Sequence, residues 1–175
     1  MTTVATFRRP AADEYAPYYA RYIDRVPEGG LIDLLDGQTD VTSGFLASIP
    51  EERAGYRYAP EKWSVRQIVG HMADVERIMA YRALWFSRGA TAPLPGFDEK
   101  VFVAGSNFDQ RTLPDLAAEY LEVRRATLAL FRGLDPEVGE RRGQASGADV
   151  SVRALGYIIS GHELHHLEVI RTRYL

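Results

Sequence analysis

The stretch Ser64–Gly89, SVRQIVGHMADVERIMAYRALWFSRG, decides how the rest of the chain is read. Ser64 followed three residues later by Gln67 is a capping box, in which each side chain serves a backbone N–H at the start of a helix. Val65, Ile68, Val69, Met72, Val75, Met79 and Leu84 recur at helical spacing and mark one buried side. Gly89 closes the segment. His71 falls on or beside that apolar stripe, three residues after Ile68 and four before Val75.

Three more segments carry the same kind of stripe. Leu31 to about Ile49 places Leu31, Leu34, Leu35, Gln38, Val41, Phe45 and Ile49 on one face before Pro50 stops it. Thr112 to about Gly133 opens with a cap and lines Leu116, Tyr120, Val123, Thr127 and Leu130. The last helix runs from near Ser151 to the end of the chain. Four helices that each present one apolar stripe bury them against one another, so the expected fold is an all-α four-helix bundle in a single domain, residues 1–175. The connection 89–111 is long and carries Phe97, Phe102 and Phe108, with a short extended piece expected at Lys100–Gly105, and residues 135–150 read as a polar loop.

Composition narrows the function. With 46% hydrophobic and 26% charged residues the chain is an ordinary globular domain, and a net charge of −3 without any basic stripe gives no reason to expect nucleic acid. Absence of cysteine removes disulfides, a cysteine nucleophile and thiolate metal ligands. It also points to the cytoplasm, as does an N-terminus without an apolar signal core. No run reaches the ~20 apolar residues of a membrane span.

Histidine is the informative residue. The chain has four, and three lie in Ser160–Glu168, SGHELHHLE. At about 100° per residue, His162 and His166 share the stripe of Leu155, Ile159 and Val169; His165 lies at its edge and Glu163 points elsewhere. Inward imidazoles need partners for their nitrogens. Histidines at i and i+4 stand one turn apart and reach one ion, and a third from a facing helix completes the set. His71, His162 and His166 are therefore the candidate metal ligands. A divalent ion held by three neutral ligands keeps an open position, the pattern of a catalytic site.

The Trp63-Ser64 start, the histidine that follows it and the terminal GHELHH together resemble the DinB-like superfamily, in its DinB/YfiT branch. The resemblance runs from about Tyr15 to Tyr174. It implies an up-up-down-down bundle, often a homodimer, with a divalent metal (zinc, nickel, iron or manganese) on the three histidines. It also implies a thiol S-transferase acting on a small electrophile with a low-molecular-weight thiol cosubstrate. The alternatives are a metal-dependent hydrolase and a non-catalytic metal- or ligand-binding stress protein. Asp74 and Arg82 are the candidate catalytic residues, as base or anchor. Asp98, on the long connection, and Arg124, as a carboxylate anchor, are the candidates for holding a cosubstrate.

Overall fold

The computed structural model describes residues 7–175. Four long helices dominate it: α1 (Leu31–Ala47), α2 (Val65–Ser87), α3 (Leu113–Arg132) and α4 (Val152–Arg173). The caps read from the sequence are in place. Ser64 Oγ accepts from Gln67 N at 3.1 Å and Gln67 Oε1 accepts from Ser64 N at 3.1 Å. Thr112 Oγ1 accepts from Asp115 N at 3.3 Å, and Ser151 Oγ from Ala154 N at 3.0 Å.

The core splits into two apolar clusters, and their membership gives the helix directions. One joins the start of α1 (Leu31, Leu35), the end of α2 (Met79, Phe86), the end of α3 (Leu128, Phe131) and the start of α4 (Leu155, Ile159). The other joins the end of α1 (Leu46), the starts of α2 and α3 (Val65, Met72, Leu113, Tyr120) and the end of α4 (Ile170). The bundle therefore runs up-down-down-up, which corrects the up-up-down-down order implied by the resemblance. The longest connection between these helices, 88–112, lies between α2 and α3 and takes the crossover, returning along a helix roughly 35 Å long. The connections on either side of it simply reverse the chain.

Two local expectations also change. The piece after Pro95-Gly96 is not extended. Asp98 accepts from Lys100 N at 2.8 Å and Val101 N at 3.3 Å and starts a short helix, Glu99–Ala104. The polar loop before α4 contains a hairpin, β1 (Arg142–Ala145) and β2 (Ala148–Ser151), in antiparallel register from Arg142↔Ser151 to Ala145↔Ala148. Ser146 and Gly147, at φ 55° and 79°, make the two-residue turn whose twist suits a hairpin. Leu94 pairs with its tip through Leu94 N to Gln144 O, 2.9 Å, and Ser146 N to Leu94 O, 3.1 Å. The stripes also contained two misplaced members: Val41 is 65% exposed and Leu84 40%.

Between the two apolar clusters lies a buried ionic layer. Arg124 is fully buried and reaches Glu76 through two bonds, Nε to Oε1 at 2.8 Å and Nη2 to Oε2 at 2.9 Å. The same Nη2 lies 2.8 Å from Glu163 Oε2 and donates to Tyr120 Oη at 2.7 Å. Thr42 donates to Glu163 Oε1. Every long helix contributes to this layer. Burial raises the Glu163 carboxyl pKa, against the opposing pull of Arg124.

Candidate metal centre

His71 comes from the first half of α2, His162 from the middle of α4 and His166 from its second half, so the antiparallel α2/α4 pair brings them to one level. Tyr174 Oη, at the end of α4, donates to Trp63 O at 2.7 Å beside the start of α2 and fixes that register. His71 Nε2 lies 3.1 Å from His162 Nε2, and His166 Nε2 lies 3.0 Å from the same atom. All three offer a nitrogen within one 4.8 Å group that has the composition of a metal site.

Protons alone do not satisfy this arrangement. Each N···N contact needs one hydrogen between two nitrogens, and a neutral imidazole nitrogen is either a donor or an acceptor. His162 Nε2 takes part in both contacts and matches one partner at a time. Adding a proton is also disfavoured. Burial pulls His71 down to about 4, and burial together with the neighbouring imidazoles holds His162 and His166 well below the ordinary histidine value. A cation at the centre resolves the conflict, because it accepts all three lone pairs at once. Two imidazoles on one ion at ~2.0–2.1 Å stand roughly 3–3.5 Å apart, close to the spacing found. The donor set fits a divalent metal ion.

The surroundings are aromatic. Trp63 lies against His71, ring centroids 4.7 Å apart, and Tyr22 meets His162 edge-on at 5.3 Å. Tyr22 comes from the short helix Ala20–Ile23, which packs on α4 at Gly161; a Cβ there would fall inside contact distance of the Tyr22 carbonyl. His165 is half-buried against Tyr22 and His166, at 5.5 and 4.9 Å, and is not one of the three. A cavity of about 490 Å³ opens beside the site, with His162, Tyr22, Met79, Phe97, Lys100 and Ser146 on its wall.

The remaining candidates fall elsewhere. Asp74 is outside the metal group and pairs with Arg77 at 3.5 Å, so it is not placed as a base. Arg124 is locked between Glu76 and Glu163, which removes it as an anchor for a ligand carboxylate. Arg82 is buried behind the cavity wall and donates to Pro95 O and Ser146 Oγ, each at 2.9 Å, holding the crossover and the hairpin tip on α2. Asp98 lines the cavity while capping its short helix. Glu163, expected to face away, is 1% exposed. From Ala154 to Glu163 every residue of α4 is buried, so a single-stripe reading misplaces the far side. Tyr22 and Trp63 were not anticipated at the site; Trp63, directly before the Ser64 cap, was the readable signal.

No helix among the described residues is long and apolar enough to cross a membrane. No curated protein matches the sequence. Among solved structures, the chain is similar to YfiT from Bacillus subtilis, described as a probable metal-dependent hydrolase with an unusual four-helix bundle topology. The TM-score is 0.70 at 17% identity, over 94% of this chain and 93% of that one. The model of the DinB superfamily matches residues 34–170, a span that includes α2, α3 and all three clustered histidines, and the chain belongs to that superfamily.

Proposed function

We propose that this chain is a metal-dependent enzyme acting on a small molecule in the cavity beside His162. The observation that carries the reading is the pair of Nε2 contacts at 3.0 and 3.1 Å converging on His162, which ask for a shared cation. His71, His162 and His166 would hold the ion, and zinc, nickel, iron and manganese all suit such ligands to different degrees. Bound there, a divalent ion would supply a Lewis acid able to lower the pKa of a thiol or a water molecule.

The chain's own residues do the rest. Trp63 and Tyr22 brace the imidazoles and keep bulk water from their faces. Phe97 and Met79 offer apolar surface to a substrate body. The cavity at the site, and the lack of a fourth protein ligand in the cluster among the described residues, favour an enzyme over a storage or sensing protein. We read the reaction as transfer of a low-molecular-weight thiol to an electrophile, the activity that the resemblance implies; the absence of cysteine is compatible with it, since the sulfur would come from a cosubstrate. Hydrolysis is the second reading, favoured by the description of the YfiT structure.

Metal analysis of purified and reconstituted protein tests the first step. Near-stoichiometric metal is expected, with loss in His71→Ala, His162→Ala and His166→Ala; equal metal in wild type and variants would refute it. A screen of thiols against chlorodinitrobenzene and a bimane reagent, beside a panel of esters and amides, then separates the two reactions. Thiol-dependent product that disappears in His162→Ala supports transfer. Turnover of the esters or amides without thiol supports hydrolysis.

A further inference from the structure

The cavity beside His162 has an imbalance of charge that its metal ligands do not explain. Lys100 stands on its wall, exposed. Arg21 lies over the rings of Tyr18 and Tyr22, both on the wall, at 3.8 and 4.8 Å from their centroids, and its guanidinium donates to their hydroxyls. Arg82, 3% exposed, gives its hydrogen bonds to neutral atoms only: Pro95 O, Ser146 Oγ and, at 3.7 Å, Met79 Sδ. Among the described residues none of the three has a carboxylate partner. A buried guanidinium without a counter-charge is costly, and here it sits behind Ser146 and Phe97, which line the cavity.

Two acids share the wall with Lys100. Asp98 directs its carboxylate at the N–H groups of Lys100 and Val101, and Glu99 is as exposed as Lys100, so the three cations on and around the wall outnumber the acids by one. Tyr19, Tyr22 and Phe97 add aromatic rings to the lining. A cavity with aromatic rings in its lining and more cations than acids around it suits a flat molecule with an anionic group.

We propose that this cavity takes small anionic molecules with a flat apolar body, the charged group met by Lys100, Arg21 and the Ser146 turn that Arg82 holds in place. The proposal rests on the cavity being the ligand site of the proposed enzyme and adds the class of molecule it takes. An anion could also bind to the metal itself, so the test separates the two sources.

The probes are phenylmethanesulfonate, a weak metal ligand, and benzyl methyl sulfone, its neutral analogue of similar shape. Affinities for the full-length protein are measured by calorimetry, metal-loaded and after chelation, at two salt concentrations. Wild type is expected to prefer the sulfonate by about tenfold or more, with the preference surviving chelation and weakening in high salt. Arg21→Gln combined with Lys100→Gln, both exposed positions, is expected to bring the two probes within about twofold. Arg82→Gln is expected to have the same effect if it folds, and the exposed pair decides the matter if it does not. Equal affinities in wild type, binding of neither probe, or an unchanged preference in the double variant would overturn the proposal. So would a preference abolished by chelation, since the anion would then sit on the ion. A preference that persists in protein unable to hold metal would support the subsite while the metal reading failed.

Discussion

Replacing Arg124 with methionine is the sharpest test of how the bundle is held together. Arg124 is fully buried, bonded to both oxygens of Glu76 and 2.8 Å from Glu163, and it also donates to Tyr120 Oη. Methionine fills much of the same space without charge and leaves two carboxylates facing each other in the core. Breaking a buried ion pair by removing one partner costs roughly 3–5 kcal/mol, against a total stability of roughly 5–15 kcal/mol for a domain. At this chain length that predicts a fall in Tm of about 6–20 °C. Urea titration and thermal melting followed by circular dichroism measure it on chelated protein, so that metal binding does not contribute. The triple variant Glu76→Gln, Arg124→Met, Glu163→Gln removes the stranded charges and is expected to recover most of the loss. If Arg124→Met alone stays within about 1 kcal/mol of wild type, the layer contributes no net stability and the reasoning is wrong.

Two further outcomes follow from the packing and the charges. Gly161→Ala pushes a methyl group into the Tyr22 carbonyl and is expected to cost about 1–3 kcal/mol, whereas Gly44→Ala, on α1 with open space around it, is expected to stabilise by up to about 1 kcal/mol; melting curves that shift both variants the same way would contradict the close approach. Burial alone would raise the Glu14 carboxyl, but bonds from Arg153 and the Ala11 N–H outweigh it and bring the pKa from 4.5 down to about 2. The folded value lies below the unfolded one, so this stabilisation is present above pH 4.5 and fades as pH falls towards 2. Urea midpoints at pH 6 and pH 3 are expected to differ more in wild type than in Glu14→Gln.

Helix number, helix limits and the three clustered histidines were legible because each depends on neighbours in sequence. The Ser64–Gln67 box, the Thr112 and Ser151 caps and the i, i+4 spacing of His162 and His166 are local facts. Helix direction was not local. It depends on which connection makes the crossover, and nothing in residues 88–112 states that they return along the bundle. Glu163 was misread because a one-stripe helix was assumed, while α4 is enclosed by α1, α2 and the N-terminal turns. Arg124 could not be read as buried without seeing Glu76 and Glu163 at its two sides, carboxylates supplied by two other helices. The hairpin escaped because its strands are four residues each and only Ser146-Gly147 signals the turn.

The crossover has a consequence for how such proteins diversify. The imidazoles are carried by helices whose positions are fixed by core packing, whereas Phe97, Asp98 and Lys100 belong to the segment that returns from α2 to α3. On the proposed reading, part of the ligand choice is thus written in a stretch of the chain separate from the ion ligands. Grafting a different return segment onto the same four helices should change what enters the cavity while leaving the ion in place.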